Sequence, residues 1–434
     1  MKKTIAVMAG AVGAALAGWG GAAFAAGFQL QEQGAAGLGV AYSGQAAAVH
    51  DASTAFWNPA GMFLLPDRQA TAAINYIAPS TKFTSAGPPP GGSTYNVFGN
   101  GGQAGESAWV PSLFGTWMIN PQWSVGLAIN APFGLATEWD TTWAGQFHAI
   151  KSEIQTLNIN PSVSFKVNNM IALGAGVSYQ QLKAELSNAV PSATPGLCGP
   201  IPCALARPVT GKVEGDDWGW GWNIGAMFDF GQGTRLGLTY RSTISYTISG
   251  DLTYDGPQSP LLPAGQNVKA DVKLPDTFSV GLSHRFNPQW RVLADYTWTG
   301  WDTIKNLDIQ SESIGVTLTS TSLQFKNSWR IGAGVEYQLN QPWLLRAGIA
   351  YDTSPVQDAY RTPRLPDNDR TWLAIGARYQ PSPAWWFDFG YTYIWVANAS
   401  SDLRPTGLDA FRGNLIGTYK ANVQILGAQV SFKF

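Results

Sequence analysis

From Gln69 to the C-terminus, the chain places apolar side chains at every second position. In residues 220–230, Trp220, Trp222, Ile224, Ala226, Phe228 and Phe230 share one face, and Gly221, Asn223, Gly225, Met227 and Asp229 share the other. A period of two is the mark of a strand with one apolar face. The same pattern recurs at 171–179, 278–282, 292–298, 331–337, 345–351, 373–379 and 387–395. About fourteen such segments can be counted, the last ending in Phe432 and Phe434, and the even number suits a bacterial barrel.

The opposite faces carry Arg235, Arg241, Asp295, Glu336, Arg346, Arg378 and Asp388, interleaved with glycines. Alternation alone fits a soluble sandwich as well as a membrane barrel. Aromatic residues at segment ends separate the two, because a membrane barrel sets rings at both headgroup levels. Asn120-Pro-Gln-Trp123 and Asn287-Pro-Gln-Trp290 repeat one design, a proline turn with a tryptophan entering the next strand. Short turns of this kind alternate with long Gly/Pro/Ser/Asp-rich connections at 87–105, 188–211, 250–267, 355–366 and 400–413. The expectation is an all-β fold, a transmembrane antiparallel β-barrel with short periplasmic turns.

The stretch 27–62 breaks the pattern. It is rich in glycine and alanine and closes on the turn Asn58, Pro59, Ala60, where proline fixes φ and removes a donor. About fourteen strands enclose more space than side chains fill. Residues 26–66 are therefore expected to form a hatch that plugs the lumen of a barrel spanning 67–434. A flexible periplasmic tail is the alternative. Residues 1–25, with two lysines, an apolar run and Ala23-Phe24-Ala25, read as a secretory signal peptide.

Composition fits this picture. Of 434 residues only 13% are charged and 12% are aromatic, including 19 Trp, yet after the leader no apolar run reaches the ~18 residues of a membrane helix. A net charge of −1 gives no field for nucleic acid. Cys198 and Cys203 sit close together in a Pro/Gly loop and are expected to form a small disulfide outside the cytoplasm. His50, His148 and His284 are scattered, so neither a metal site nor a catalytic triad is expected, and no cofactor. An outer-membrane lipase is the enzymatic alternative, and an open hydrophilic porin the other rival.

Several stretches, in order along the mature chain, resemble the FadL/TodX family of outer-membrane transporters for long-chain fatty acids and other hydrophobic compounds. They include 26–30 (AGFQL), Asn58-Pro-Ala60, 133–138 (FGLATE), 218–225 (WGWGWNIG), Tyr240-Arg-Ser242, Ser354-Pro-Val356 and 365–370 (LPDNDR). The resemblance implies a fourteen-stranded barrel with an N-terminal hatch, an internal apolar pocket and sideways release through a gap at a kinked strand. Here the kink would fall at Asn130, Ala131, Pro132, Phe133 and Gly134, where alternation stops at a proline. A plain β-bulge is the alternative. By resemblance Phe28 would lie against the pocket.

One departure concerns cargo. Where fatty-acid-binding members carry basic residues, this chain has Leu186 and Thr321. Lys183, Lys326 or Arg330 would have to supply the cation. Otherwise a neutral alkane or aromatic is the alternative cargo, because an unpaired buried carboxylate is costly. The expected partners are thus a fatty acid or hydrocarbon ligand, outer-membrane lipid and detergent-like molecules, and the barrel-assembly machinery that reads the terminal Phe, with the protein a monomer in the outer membrane.

Overall fold

The computed structural model describes residues 27–190, 209–256 and 265–434. The leader and the expected Cys198/Cys203 disulfide lie outside them.

Alternation becomes one closed sheet. β1 (Arg68–Ser85) and β2 (Ala108–Met118) are followed by β3 (Trp123–Asn130) and β4 (Gly134–Glu138), two pieces of one traverse. β5 (Lys151–Lys166), β6 (Ile171–Val190) and β7 (Val209–Asp229) are long and continuous. The next traverses are again in pieces: β8 (Thr234–Arg241) with β9 (Ile244–Asp255), and β10 (Gln266–Leu274) with β11 (Thr277–Arg285). β12 (Trp290–Thr299) leads into β13 (Asn306–Ser311), and β14 (Thr317–Ser322) into β15 (Ser328–Gln338). β16 (Trp343–Asp352), β17 (Arg370–Tyr379), β18 (Trp385–Val396) with β19 (Ala399–Leu403), and β20 (Leu415–Lys433) complete the ring. Among the described residues these pieces make 14 antiparallel traverses, the number the alternation predicts. β1 pairs with β20 from Gln69↔Lys433 to Ser85↔Gly417, which closes the sheet.

Contacts with the N-terminal segment identify the inner face. A Cβ on Gly225 would lie 2.0 Å from Asn58 Oδ1, and one on Gly174 2.3 Å from Ala60 N, so glycine alone admits the turn at these positions. Their neighbours Ile224 and Leu173 point the other way and are 50% and 48% exposed. Ile331, Ile349, Ile375 and Leu426 are likewise exposed. Such a band is unfavourable in water and is what a lipid-facing surface requires. At the short turns the predicted design recurs in detail. Asn120 Oδ1 accepts from Trp123 N at 2.9 Å, Asn287 Oδ1 from Trp290 N at 2.9 Å and Asn340 Oδ1 from Trp343 N at 3.1 Å. In each case the asparagine folds the turn and the tryptophan is left on the outer rim.

The segment before β1 lies inside the ring as three short helical turns, α1 (Ala35–Leu38), α2 (Gln45–Ala48) and α3 (Thr54–Trp57), and a 3-10 stretch (Pro59–Leu64). Leu38, Val40, Ala47 and Met62 are fully buried. Asn58 seats the turn, since its Nδ2 donates to Ala46 O (2.7 Å) and Ala226 O (3.1 Å) while Oδ1 accepts from Ala60 N (3.1 Å). Inward charges hold the rest. Arg346 bridges Glu336 (2.8 Å) and Asp388 (2.5 Å), and Glu336 also takes Arg291 (3.1 Å) and His50 (3.0 Å). Arg291 and Arg330 donate to the carbonyls of Ala48 and Ala41, which ties wall to segment through buried backbone acceptors.

Candidate functional site

The wall is interrupted beside the predicted kink. β2 and β3 pair up to Leu113↔Ile129, and the isolated bridge Gly105↔Thr137 resumes the same register higher up. Between them, residues 106–112 and 130–136 share no ladder pair among the described residues. Proline at 132 has no N–H to offer β2. The kink instead turns inward onto the N-terminal segment, where Leu30 N donates to Pro132 O and Gly134 N to Phe28 O, both at 2.8 Å. Gln33 Nε2 reaches Ala131 O (2.9 Å), and Asn130 Nδ2 reaches Gln33 Oε1 (2.8 Å). The kink's backbone is therefore satisfied without β2, so the gap leaves few orphaned groups.

Phe28 stands at the junction. Its ring packs 4.8 Å from Trp301 and 6.0 Å from Phe133, and it lines a cavity of about 410 Å³. That cavity is walled by apolar side chains, among them Leu182, Leu186, Ile248, Val268, Val272 and Leu323. It falls within the roughly 300–1,000 Å³ of small-molecule pockets. A second cavity of about 240 Å³ shares Leu186, Val213, Leu307 and Ile309 with the first. Thr321, Arg364 and Arg412 line it too. The two positions singled out as lacking a cation, Leu186 and Thr321, thus border the same space as two arginines.

Arg364 holds neutral acceptors: Lys151 O (3.2 Å), Ser152 Oγ (3.0 Å), Ser187 O (3.3 Å) and Asn188 Oδ1 (3.1 Å). Among the described residues it makes no ion pair. Burial, and after it the charge of Arg412, push its guanidinium down to about 9, so at neutral pH it keeps its proton. Arg412 bonds Thr319 Oγ1 (2.8 Å) and pairs with Asp409 (3.0 Å).

The three cations expected from the sequence do not line either cavity. Lys183 sits on the outer face, half exposed and paired with Glu214 at 3.0 Å. Lys326 is exposed in the break between β14 and β15, its N–H bonded to Pro355 O. Arg330 does face inward, but its guanidinium is engaged by Asp295 (2.9 Å) and the Ala41 carbonyl. Arg364 and Arg412 are not found by periodicity because both lie in loops, where no alternation assigns a face.

A buried histidine braces these loops. Burial, and then the charges of Arg412 and Arg364, push His148 down to about 4, and in its neutral form its Nε2 bonds Gly413 O at 2.9 Å. An unfolded loop would bind the proton with a pKa near 6.5. The bond to Gly413 survives protonation, so the stability at stake comes from burying the ring neutral; it is complete above about 6.5 and is lost as pH falls toward 4. Loop proteolysis of the intact protein should rise roughly twentyfold between pH 7 and pH 5, and His148→Gln should flatten that dependence. A pH-independent rate in the native protein would refute the assignment.

Residues 16–434 match the family described as outer membrane protein transport protein (OMPP1/FadL/TodX). The chain belongs to this family. Among its relatives, the long-chain fatty acid transport protein of Escherichia coli is 32% identical over 397 residues, covering 86% of this chain and 87% of that protein. The 47 kDa outer membrane protein of Pasteurella multocida is 30% identical over 435 residues, 97% of each chain. The crystal structure of a Pseudomonas aeruginosa FadL homologue superposes with a TM-score of 0.85 at 28% identity, covering 94% of this chain and all of that one. The Ralstonia pickettii toluene transporter TbuX shares the fold alone, with a TM-score of 0.65 at 19% identity over 92% of this chain and 98% of its own. Membership places this barrel in the outer membrane as a transport protein.

Proposed function

We propose that the protein lets single-chain hydrophobic compounds, long-chain fatty acids above all, cross the outer membrane passively. The tail lies in the apolar cavity, the carboxylate meets Arg364 and Arg412, and the molecule leaves sideways through the gap beside Pro132 while the N-terminal segment keeps the lumen shut. The observation that carries this reading is the joining of an apolar cavity to one where a buried arginine has only neutral partners. An uncompensated cation is costly unless an anion arrives. Burying the tail contributes ~0.8 kcal/mol per methylene, which a water-filled pore would forfeit. Phe28 touches both the cavity and the kink, so ligand that displaces its ring would pull on Gly134 and Pro132. The relatives named for fatty acid transport support the cargo. The apolar side chains at Leu186 and across the larger cavity favour, as a second reading, a neutral hydrocarbon.

Arg364→Gln separates the two. Loss of one charge-assisted contact should weaken oleate binding by about 2 kcal/mol, roughly thirtyfold, and leave hexadecane unchanged. Titration of purified protein with both ligands reads this directly. Equal binding of both by native protein and variant would favour the hydrocarbon.

A further inference from the structure

The wall has a second weak place, away from the kink. β9 and β10 pair with each other from Gln266↔Leu252 to Leu274↔Ile244. On their outer sides the ladders stop early. β7 meets β9 only through 210–216, and β13 meets β10 only at Val268↔Ser311 and Lys269↔Gln310. Residues 244–248 and 270–274 therefore form a two-stranded ribbon without a ladder partner on either side among the described residues. Below it, pairing returns between β7 and β8 and between β11 and β12. The chain that would continue β12 beside the ribbon is diverted inward as a 3-10 turn (Trp301–Thr303), with Trp301 fully buried.

The two free edges differ. Toward β7 the edge is sealed: Thr247 N donates to Asp217 Oδ2 at 2.8 Å, and the Ile244 side chain lies where Cβ atoms on Gly219 and Gly221 would be, 2.5 and 2.7 Å away. Toward β13 it borders the larger cavity, which touches residues 269–273 without a break and continues onto Ile304, Leu307 and Leu323. The lining therefore spans the unpaired stretch of β10 and the residues of the β12–β13 connection that face it across the missing ladder. An edge that lacks ladder hydrogen bonds to its neighbour, as β10 does toward β13, also opens more cheaply than a paired one.

We infer that the free edge between β10 and β13 is an entry port, through which the tail of a single-chain amphiphile reaches the internal cavity from outside the barrel. This rests on the transport reading and adds a way in to its way out. Entry on this side and exit beside Pro132 put the cavity between two separate breaks in the wall, joined at Phe28 and Trp301.

Stitching the edge tests it. In a Cys198→Ser, Cys203→Ser background, Ala270→Cys and Ile309→Cys occupy the next pair in the register set by Lys269↔Gln310. Oxidation should slow loading of a fluorescent long-chain fatty acid at least tenfold relative to the same double variant kept reduced, and reductant should restore the rate. Ala270→Trp, which needs no oxidation, should slow loading in the same way by filling the mouth. Unchanged loading in the fully cross-linked protein and in Ala270→Trp would overturn the port and leave the transport reading intact. Native protein that binds no fatty acid would overturn both.

Discussion

With Ala108 and Gly134 both changed to cysteine in a Cys198→Ser, Cys203→Ser background, oxidation should abolish oleate uptake by cells while purified protein still binds oleate. The two positions lie opposite each other in the register shared by Leu113↔Ile129 and Gly105↔Thr137, yet they are not paired. Cross-linking them would pull the kink outward and restore the missing ladder. Each methylene forced through water instead of the gap costs ~0.8 kcal/mol, so a loss of roughly a hundredfold or more is expected for a long chain. Binding should survive because the larger cavity is walled chiefly by β6, β9, β10 and the turn before β13, none of which the cross-link touches. Reductant should rescue uptake. A fully cross-linked protein that transports normally would mean that cargo leaves by another way.

The second large effect concerns the seat of the N-terminal segment. Arg346→Leu should convert a closed barrel into a leaky one. Arg346 is buried between Glu336 and Asp388 and lies against the N-terminal segment, where a Cβ on Gly39 would sit 3.4 Å from the arginine's own Cβ. Removing it leaves two buried carboxylates without their shared partner. Breaking a buried ion pair by removing one partner costs ~3–5 kcal/mol. Arg291, His50 and Arg378 keep some compensation, at 3.1, 3.0 and 2.9 Å, so the lower end applies. An open fraction raised by roughly a hundredfold should appear as conductance steps in planar bilayers. Arg404→Leu is the control, because Arg404 and Asp402 form a pair that is more than half exposed and contributes little. A silent Arg346→Leu barrel would show that shape alone, and not this charge network, retains the segment.

Much of this protein is written in one dimension. Lipid demands an apolar side chain at every second position of each strand, so Trp222, Ile224 and Ile349 announce their outward direction locally. The turns are equally local, since Asn-Pro-Gln-Trp folds back on its own asparagine. The same parity marks Lys183 as outward, for it is in phase with Leu173 and Val177 and out of phase with Leu182, and its failure to reach the cavity follows from that count. A proline that ends alternation at 132 locates the kink.

What the sequence could not determine is which groups meet across the lumen. Arg364 and Arg412 come from loops far apart along the chain, and only the folded barrel brings both to the cavity bordered by Leu186 and Thr321. The gap at the kink is a property of partners, because Gly134 bonds Phe28 and not β2, and nothing in either stretch states that preference. The ribbon of β9 and β10 is likewise defined by neighbours that turn away. Periodicity encodes direction relative to a surface, which each residue carries by itself; enclosure and hydrogen-bond choice are relations between distant segments, and they exist only once the ring has closed.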